Sequence, residues 1–170
     1  DISLNDLISV TVGTNVTSLG QGVFKDASSL TSVTFAENSQ LDSIEDFAFH
    51  GVYNLTSISI PAGVTSIGTR AFISASSLTS ITFAPDSQLT SIGERAFYGT
   101  GLTSIIIPAG VTSIGDYAFS DTSLKSIIIP ASVTSIGLQV FNYALSLTSI
   151  TVTAGNTNYK DISGVLFNSS

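Results

Sequence analysis

Residues 102–119 read LTSIIIPAGVTSIGDYAF, and close copies of this stretch follow one another along the chain. The copies align on a leucine that recurs every 22 to 25 residues, and the aligned leucines are Leu7, Leu30, Leu55, Leu78, Leu102, Leu124 and Leu147. A β-branched residue stands three positions after each leucine, and another large apolar residue stands five positions after it. Such a period indicates stacked, similar units, because no single unit can bury its apolar side chains alone.

Each unit divides into segments with different structural preferences. The alternating apolar residues of L-x-x-I-x-I predict a short strand, which Pro108-Ala109-Gly110 ends in a tight turn. V-T-S-I predicts a second short strand, which ends at the glycine that follows it. The last segment, G-x-x-A-F, is too short for a stable α-helix and predicts one helical or 3-10 turn.

The L-x-x-L-x-L spacing is the core pattern of a leucine-rich repeat. The sequence therefore predicts a mainly β, right-handed leucine-rich-repeat solenoid of about seven coils, each 22–25 residues long. Each coil is expected to contain two short strands and a single helical or 3-10 turn. Columns of leucine, isoleucine and phenylalanine would fill a rod roughly 30 Å long, with residues 1–170 forming one domain.

Two units and the tail depart from the pattern. Residues 36–40 and 84–88 lengthen the turn after the first strand by two residues, which predicts loops on one edge of the solenoid. The tail, residues 156–167, breaks the spacing and predicts a longer loop and a hairpin-like last coil. No polar cap follows it, and an uncapped solenoid exposes strand edges. We therefore expect a fragment of a longer surface protein, or ends that self-associate.

The combination LTSI-x-IP-A-G-VTSIG-x-x-AF resembles the bacterial BspA-type, or Treponema-type, leucine-rich repeat over essentially the whole chain. The tail sequence SGVLFN resembles a hairpin variant of the same family. The resemblance implies a secreted or surface-anchored protein that adheres to host proteins or to other cells. Family repeats often carry a cysteine shortly after the phenylalanine, and here those positions hold Ala27, Ala75, Thr100, Thr122 and Ala144.

Composition and motifs argue against several classes of function. The chain has 12 acidic and 5 basic residues and a net charge of −7, whereas nucleic-acid binding requires a basic face. No apolar run reaches the ~20 residues that a membrane-spanning helix needs. The only histidine, His50, stands where other units vary freely, which predicts an exposed position rather than a catalytic triad. We expect no enzymatic activity, no metal and no cofactor.

The residues two and four positions after each aligned leucine should point outward from the first strand. They form two columns of serine and threonine that are interrupted by Ile106 and Ile128. These isoleucines are either tolerated as good strand formers or form part of an interaction site, because exposed apolar residues beside a polar rim often mark one. The candidate partner-binding residues are Thr82, Ser104, Ile106, Ser126, Ile128 and Thr151.

Three functions remain open. The first is a non-enzymatic adhesion module at the cell surface or outside the cell, which binds a protein or cell-surface ligand through the Ser/Thr/Ile face. The second is a regular hydroxyl surface that binds glycan or ice, although serine lacks the methyl group of threonine and the isoleucines interrupt the array. The third is a passive spacer that holds another domain away from the cell.

Overall fold

The computed structural model describes residues 3–162 and 165–168, so the two ends of the predicted domain, residues 1–2 and 169–170, lie outside it. The elements, in chain order, are a 3-10 helix at Leu4–Asp6, β1 (Ser9–Val12), β2 (Ser18–Leu19), β3 (Ser32–Phe35), β4 (Ser43–Ile44), β5 (Ser57–Ile60), β6 (Ser66–Ile67), β7 (Ser80–Phe83), β8 (Ser91–Ile92), β9 (Ser113–Ile114), β10 (Ser126–Ile129), β11 (Ser135–Ile136), β12 (Ser149–Val152), β13 (Tyr159–Ile162) and β14 (Val165–Asn168). The fold is the predicted mainly β solenoid.

The V-T-S-I segments form one uninterrupted parallel sheet, in the order β11-β9-β8-β6-β4-β2. We call this sheet the continuous ribbon. Serine pairs with serine and isoleucine with isoleucine along it, as in Ser43↔Ser66 and Ile44↔Ile67. A slip of one residue would turn the isoleucine outward and the serine into the core, so the period of two fixes this register.

The L-T-S-I segments form strands that pair only two at a time. The pairs are β1–β3, β5–β7 and β10–β12, all parallel. The fifth coil has no strand here, and this segment is tied to the fourth coil by the bridge Ser80↔Ser104 and by the hydrogen bond from Thr103 N–H to Thr79 O. The prediction of two strands in every coil is therefore wrong for the fifth coil.

The third side of each coil is built from β-turns, so the predicted helical or 3-10 turn is wrong. Ala48 N–H donates to Glu45 O and His50 N–H donates to Phe47 O, but Phe47 itself has a left-handed φ of 59° that no helix accepts. This conformation turns alternate amides toward the next coil. Phe47 N–H donates to Thr69 O, and Phe49 N–H donates to Ala71 O, which creates a third hydrogen-bonded ladder.

The core consists of the predicted columns. Rings of Phe24, Phe49, Phe72, Phe97, Phe119 and Phe141 stack in sequence, with centroids 4.9–6.1 Å apart. The positions where family repeats often carry cysteine are buried as well. Thr100 and Thr122 satisfy their hydroxyls there by donating to Phe97 O and Phe119 O at 2.8 Å.

The glycine after V-T-S-I lets neighbouring coils approach. A Cβ placed on Gly93 would lie 2.6 Å from the carbonyl carbon of Gly68, and one on Gly115 would lie 2.6 Å from Glu94 N. Real Cβ atoms do not approach backbone atoms this closely. The glycine therefore sets the coil-to-coil distance in addition to ending the strand.

The solenoid has about six coils rather than the seven predicted. The seventh unit begins normally with β12, which pairs with β10, but no V-T-S-I strand follows within the described residues. The chain instead forms the antiparallel hairpin β13–β14. Because the unit lacks its second strand, it cannot extend the continuous ribbon.

The hairpin region covers the last coil through side chains, contrary to the expectation of an open edge. Ile136 N–H donates to the Tyr159 hydroxyl at 2.8 Å, and Val152 N–H donates to the Asp161 carboxylate at 2.7 Å. The Asn156 amide donates to the carbonyls of Pro130 and Val133. These contacts satisfy backbone groups that another coil would otherwise bind.

Candidate binding surfaces

The outward side of the L-T-S-I segments, here called the strand face, carries the predicted hydroxyl columns. Its members are exposed except for the half-buried Ser149. Ile106 and Ile128 expose 85% and 58% of their surface, whereas their inward neighbours Ile105 and Ile127 are buried. Two large apolar side chains therefore stand in solvent at equivalent positions of adjacent coils.

The six predicted site residues fall into two groups on this face. Ser126, Ile128 and Thr151 lie on the β10–β12 pair, where Ile128 is directly opposite Thr151. Thr82 lies on β7, while Ser104 and Ile106 lie on the irregular segment of the fifth coil. Lys125 N–H donates to Thr103 O at 3.3 Å and is the backbone link between these coils on this side.

Two grooves open on the strand face where strand pairing stops. The first, of about 750 Å³, lies between β3 and β5. The second, of about 650 Å³, lies between β7 and residues 104–110, and its walls include Thr82, Ser104 and Ile106. Half of the predicted site thus lines a groove, and the other half continues from it onto the next strand pair.

We attribute both grooves to the two longer units. These units have Phe35 and Phe83 at the column that holds Ile60, Ile107 and Ile129 elsewhere, and both rings remain half-buried. In each case the strand pairs with the preceding coil and not with the following one. A larger ring together with a longer turn displaces the following segment. The sequence contained this signal, because phenylalanine and insertion coincide in the same two units.

Hydroxyl groups on the strand face are partly engaged with one another. Thr11 and Thr34 share a hydrogen bond at 3.1 Å, and Ser59 and Thr82 share one at 2.9 Å. These hydrogen bonds join neighbouring coils and use hydroxyl groups that could otherwise bind a ligand. The array is therefore less available than its composition alone indicates.

His50 occupies a different environment from the exposed one predicted. Its ring lies 5.9 Å from the Phe47 ring centroid, and the residue is half-buried, with Nδ1 inaccessible and without a hydrogen-bond partner. The position after the column phenylalanine sits between stacked turns, which explains the burial. No group of three metal-ligating side chains occurs in the described part of the chain. Nor does any helix found there have the length and apolarity to cross a membrane.

A further groove, missed by the sequence analysis, lies on the outward side of the β-turn segments, which we call the turn face. Its volume is about 480 Å³, and its walls include Arg70, Arg95, Tyr98, Tyr117 and Tyr143. These residues are up to 73 positions apart in sequence. They converge because equivalent turn positions stack from coil to coil, and the usable signal was the equal offset of Arg70, Arg95 and Tyr117, each two residues after a glycine.

Several solved bacterial structures resemble this chain. A leucine-rich repeat protein from Eubacterium ventriosum matches with a TM-score of 0.80 and 30% identity, over 94% of this chain and 43% of that one. A leucine-rich cell surface protein from Faecalibacterium prausnitzii matches with a TM-score of 0.65 and 28% identity, over 95% of this chain and 42% of that one. The pneumococcal vaccine antigen PcpA matches with a TM-score of 0.63 and 27% identity, over 94% of this chain and 34% of that one. The chain thus spans less than half the length of each.

No curated protein matches the chain in sequence. A family model does match, and it covers nearly all of the chain. Residues 3–87 and 85–170 fit the BspA type leucine-rich repeat region in six copies, which agrees with the six strands of the continuous ribbon. The chain belongs to the BspA-type leucine-rich repeat family.

Proposed function

We propose that the chain is a non-enzymatic binding module of a longer surface or secreted protein, and that it binds a protein or cell-surface ligand through the strand face. The observation that carries this proposal is the pair Ile106 and Ile128, exposed on adjacent coils where other coils have serine or threonine. Such side chains gain from being covered, at roughly 1.5–3 kcal/mol for each one fully buried.

The surroundings of the isoleucines suit a protein partner. The groove beside Ile106 offers a concave site between β7 and the fifth coil, and Thr82 and Ser104 provide hydroxyls at its rim. Ser126 and Thr151 extend that rim across the β10–β12 pair. An apolar centre within a polar rim is the usual anatomy of a protein–protein interface.

The comparisons support the setting of this proposal. One similar structure is a cell surface protein and another is a vaccine antigen, which favours a location outside the cell. Leucine-rich repeat proteins serve as non-enzymatic scaffolds for binding, and their solenoids offer extended surfaces to partners. We place residues 1–170 as one repeat domain within a longer chain.

Adhesion of coated beads tests the proposal. Beads carrying the chain are applied to purified extracellular-matrix proteins and to intact host cells, and the variant Ile106→Glu/Ile128→Glu is compared with Thr11→Glu/Thr34→Glu. Both variants add two carboxylates to the same face, but only the first pair lies at the proposed contact. We expect the first to abolish adhesion and the second to retain it. Equal adhesion of both variants would move the contact elsewhere on the solenoid.

The two alternatives predict different results. A hydroxyl surface that binds ice would give thermal hysteresis, and one that binds glycan would lose binding in Thr11→Glu/Thr34→Glu. The coil-to-coil hydroxyl bonds described above argue against both. A passive spacer would adhere to none of the probes in either form.

A further inference from the structure

Both arginines of this acidic chain lie side by side on the turn face, which is a different surface from the strand face. Arg70 and Arg95 occupy equivalent positions of consecutive coils, and Arg70 N–H donates to Glu94 O at 2.8 Å. The chain carries only five basic residues. The clustering of two of them therefore creates a local positive site on a molecule whose net charge is −7.

The two guanidinium groups are held in place by rings and by a shared carboxylate. Arg70 Cζ lies 5.6 Å from the centroid of the Phe47 ring, and Arg95 Cζ lies 4.8 Å from that of Tyr117. Glu94 Oε1 lies 2.6 Å from Arg95 Nη1 and 3.7 Å from Arg70 Nη2. Among the described residues, Glu94 is the carboxylate that lies within 4.0 Å of these guanidinium groups, so two positive groups share one negative partner.

These side chains occupy positions that favour glycine. Arg70, Arg95, Tyr117 and Gln139 have left-handed φ values of 51–57°, whereas the first coil has Gly22 at the equivalent position with a φ of 61°. Large residues adopt this conformation at a cost of order 1 kcal/mol, and such strain is concentrated at functional sites. Five consecutive coils, from Phe47 to Gln139, keep a long or aromatic side chain here despite that cost.

The polar ends of the groove residues are free to bind a ligand. Among the described residues, none forms a hydrogen bond with the hydroxyls of Tyr98, Tyr117 or Tyr143, or with the side-chain amides of Gln139 or Asn142. Tyr143 is 65% exposed and presents a ring at one end of the groove. The site therefore combines two cations, three phenols and two amides around about 480 Å³.

We propose that this groove binds a carboxylate-bearing sugar. A guanidinium pair recognises a carboxylate through charge-assisted hydrogen bonds, a ring face packs against the apolar face of a sugar, and amides and phenols bind its hydroxyls. The volume lies in the range of small-molecule sites.

The backbone of this surface favours a sugar over a peptide that binds as an added strand. The turn-face ladder uses its own amides, since Phe97 N–H donates to Ala118 O and Tyr117 N–H donates to Leu138 O. A peptide that binds as an added strand gains affinity from unpaired main-chain groups at a sheet edge. Only side chains are available here, which suits a ligand that presents hydroxyls and a carboxylate.

Titration with a matched pair of sugars tests the proposal. Amide shifts of the isotope-labelled chain are followed with methyl β-D-glucuronide and with methyl β-D-glucoside, which differ only in the carboxylate. We expect the glucuronide to shift the amides of Arg70, Arg95, Tyr117 and Tyr143, and the glucoside to bind at least about tenfold more weakly.

Two variants separate the groove from net charge. Arg70→Gln/Arg95→Gln should weaken glucuronide binding at least about tenfold, while Lys125→Gln/Lys160→Gln removes as many charges from exposed positions elsewhere and should leave it unchanged. Tyr143→Ala should also weaken binding, and it tests the site without touching the ion pairs. Thermal unfolding of each variant confirms that it folds.

Three results would overturn the proposal. Equal binding of the two sugars would remove the role of the carboxylate, and equal weakening by the lysine variant would reduce the effect to net charge. Tighter binding of the peptide acetyl-Glu-Tyr-Glu-amide than of the glucuronide would assign the groove to an acidic protein segment instead.

Discussion

The continuous ribbon and the strand face run through the same coils, yet one is unbroken and the other is divided into pairs. Two breaks of the strand face follow coils with Phe35 or Phe83 in one inward column, whereas the third lies between coils that have Ile107 and Ile129 there. The ribbon has leucine once and then isoleucine in every coil, at Leu19, Ile44, Ile67, Ile92, Ile114 and Ile136. The last column of the strand face mixes valine, isoleucine and phenylalanine. The breaks on the strand face therefore do not spread to the continuous ribbon on another side of the same coils.

The largest expected effect comes from breaking the core that the continuous ribbon and the strand face share. Phe97→Ala removes a fully buried ring stacked between Phe72 and Phe119, and it should lower the free energy of unfolding by about 3–5 kcal/mol. Phe24→Ala is the matched control, because Phe24 stacks on Phe49 alone and keeps 8% exposure. Urea unfolding of both variants measures the difference, and an equal loss would show that stacked neighbours add nothing.

A smaller loss is expected from forcing adjacent coils apart. Gly93→Ala places a methyl group 2.6–2.8 Å from backbone atoms of Gly68 and should cost roughly 1–3 kcal/mol. Gly13→Ala, where nothing lies within 4 Å, should stay within about 0.5 kcal/mol of the parent. Thermal unfolding compares them, and an unaffected Gly93→Ala variant would contradict the role assigned to this glycine.

Phe83→Ile should repair the strand face with little change in stability. A residue of the size of Ile60 and Ile107 lets residues 104–107 pair with β7, so their amides should exchange with solvent about tenfold more slowly. Hydrogen exchange read residue by residue measures this. The equivalent Phe35→Ile variant should slow amide exchange in β5 and leave the exchange of residues 104–107 unchanged. Unchanged exchange in both variants would assign the grooves to the longer turns rather than to the rings.

The smallest effect concerns the hydroxyl columns. Thr11→Val removes the exposed hydrogen bond to Thr34 but keeps a β-branched strand former. The free energy of unfolding should therefore change by less than about 0.5 kcal/mol. Leu19→Ala, in the buried column of the continuous ribbon, should cost about 2–5 kcal/mol under the same conditions. A large decrease in the free energy of unfolding of Thr11→Val would mean that the hydroxyl columns stabilise the fold.

The repeat pattern predicted the core well, because burial in a solenoid is a property of position within the unit. Leu102, Ile105, Ile107 and Phe119 all lie inside, as their spacing requires. The pattern predicted too many coils, since a unit can start with a normal first strand and still lack the second. It also could not separate a helical turn from paired β-turns, because G-x-x-A-F fits both and only the left-handed backbone at Phe47 and its equivalents decides.

The binding surfaces were less accessible to sequence reasoning. Ile106 and Ile128 stood out because they break a column within one type of strand. Each groove depends on a phenylalanine ring in one coil and on the backbone path of the following coil. The sequence of a single unit therefore does not predict it. The Arg70–Arg95 site depends on register between coils, and it becomes visible only when turn positions are stacked rather than read along the chain.

The three ladders have a mechanical consequence. Each coil is joined to the next by hydrogen bonds of the continuous ribbon and of the turn face, and alternate coils also pair on the strand face, so a sideways load is spread over many bonds that must break together. A pull on one end of the chain instead opens the seams of a single coil before those of the next. Under tension the rod should lengthen in repeated steps of roughly 75–80 Å, the reach of one extended coil. A module of this kind would absorb a sudden load by releasing length while its remaining coils stay folded.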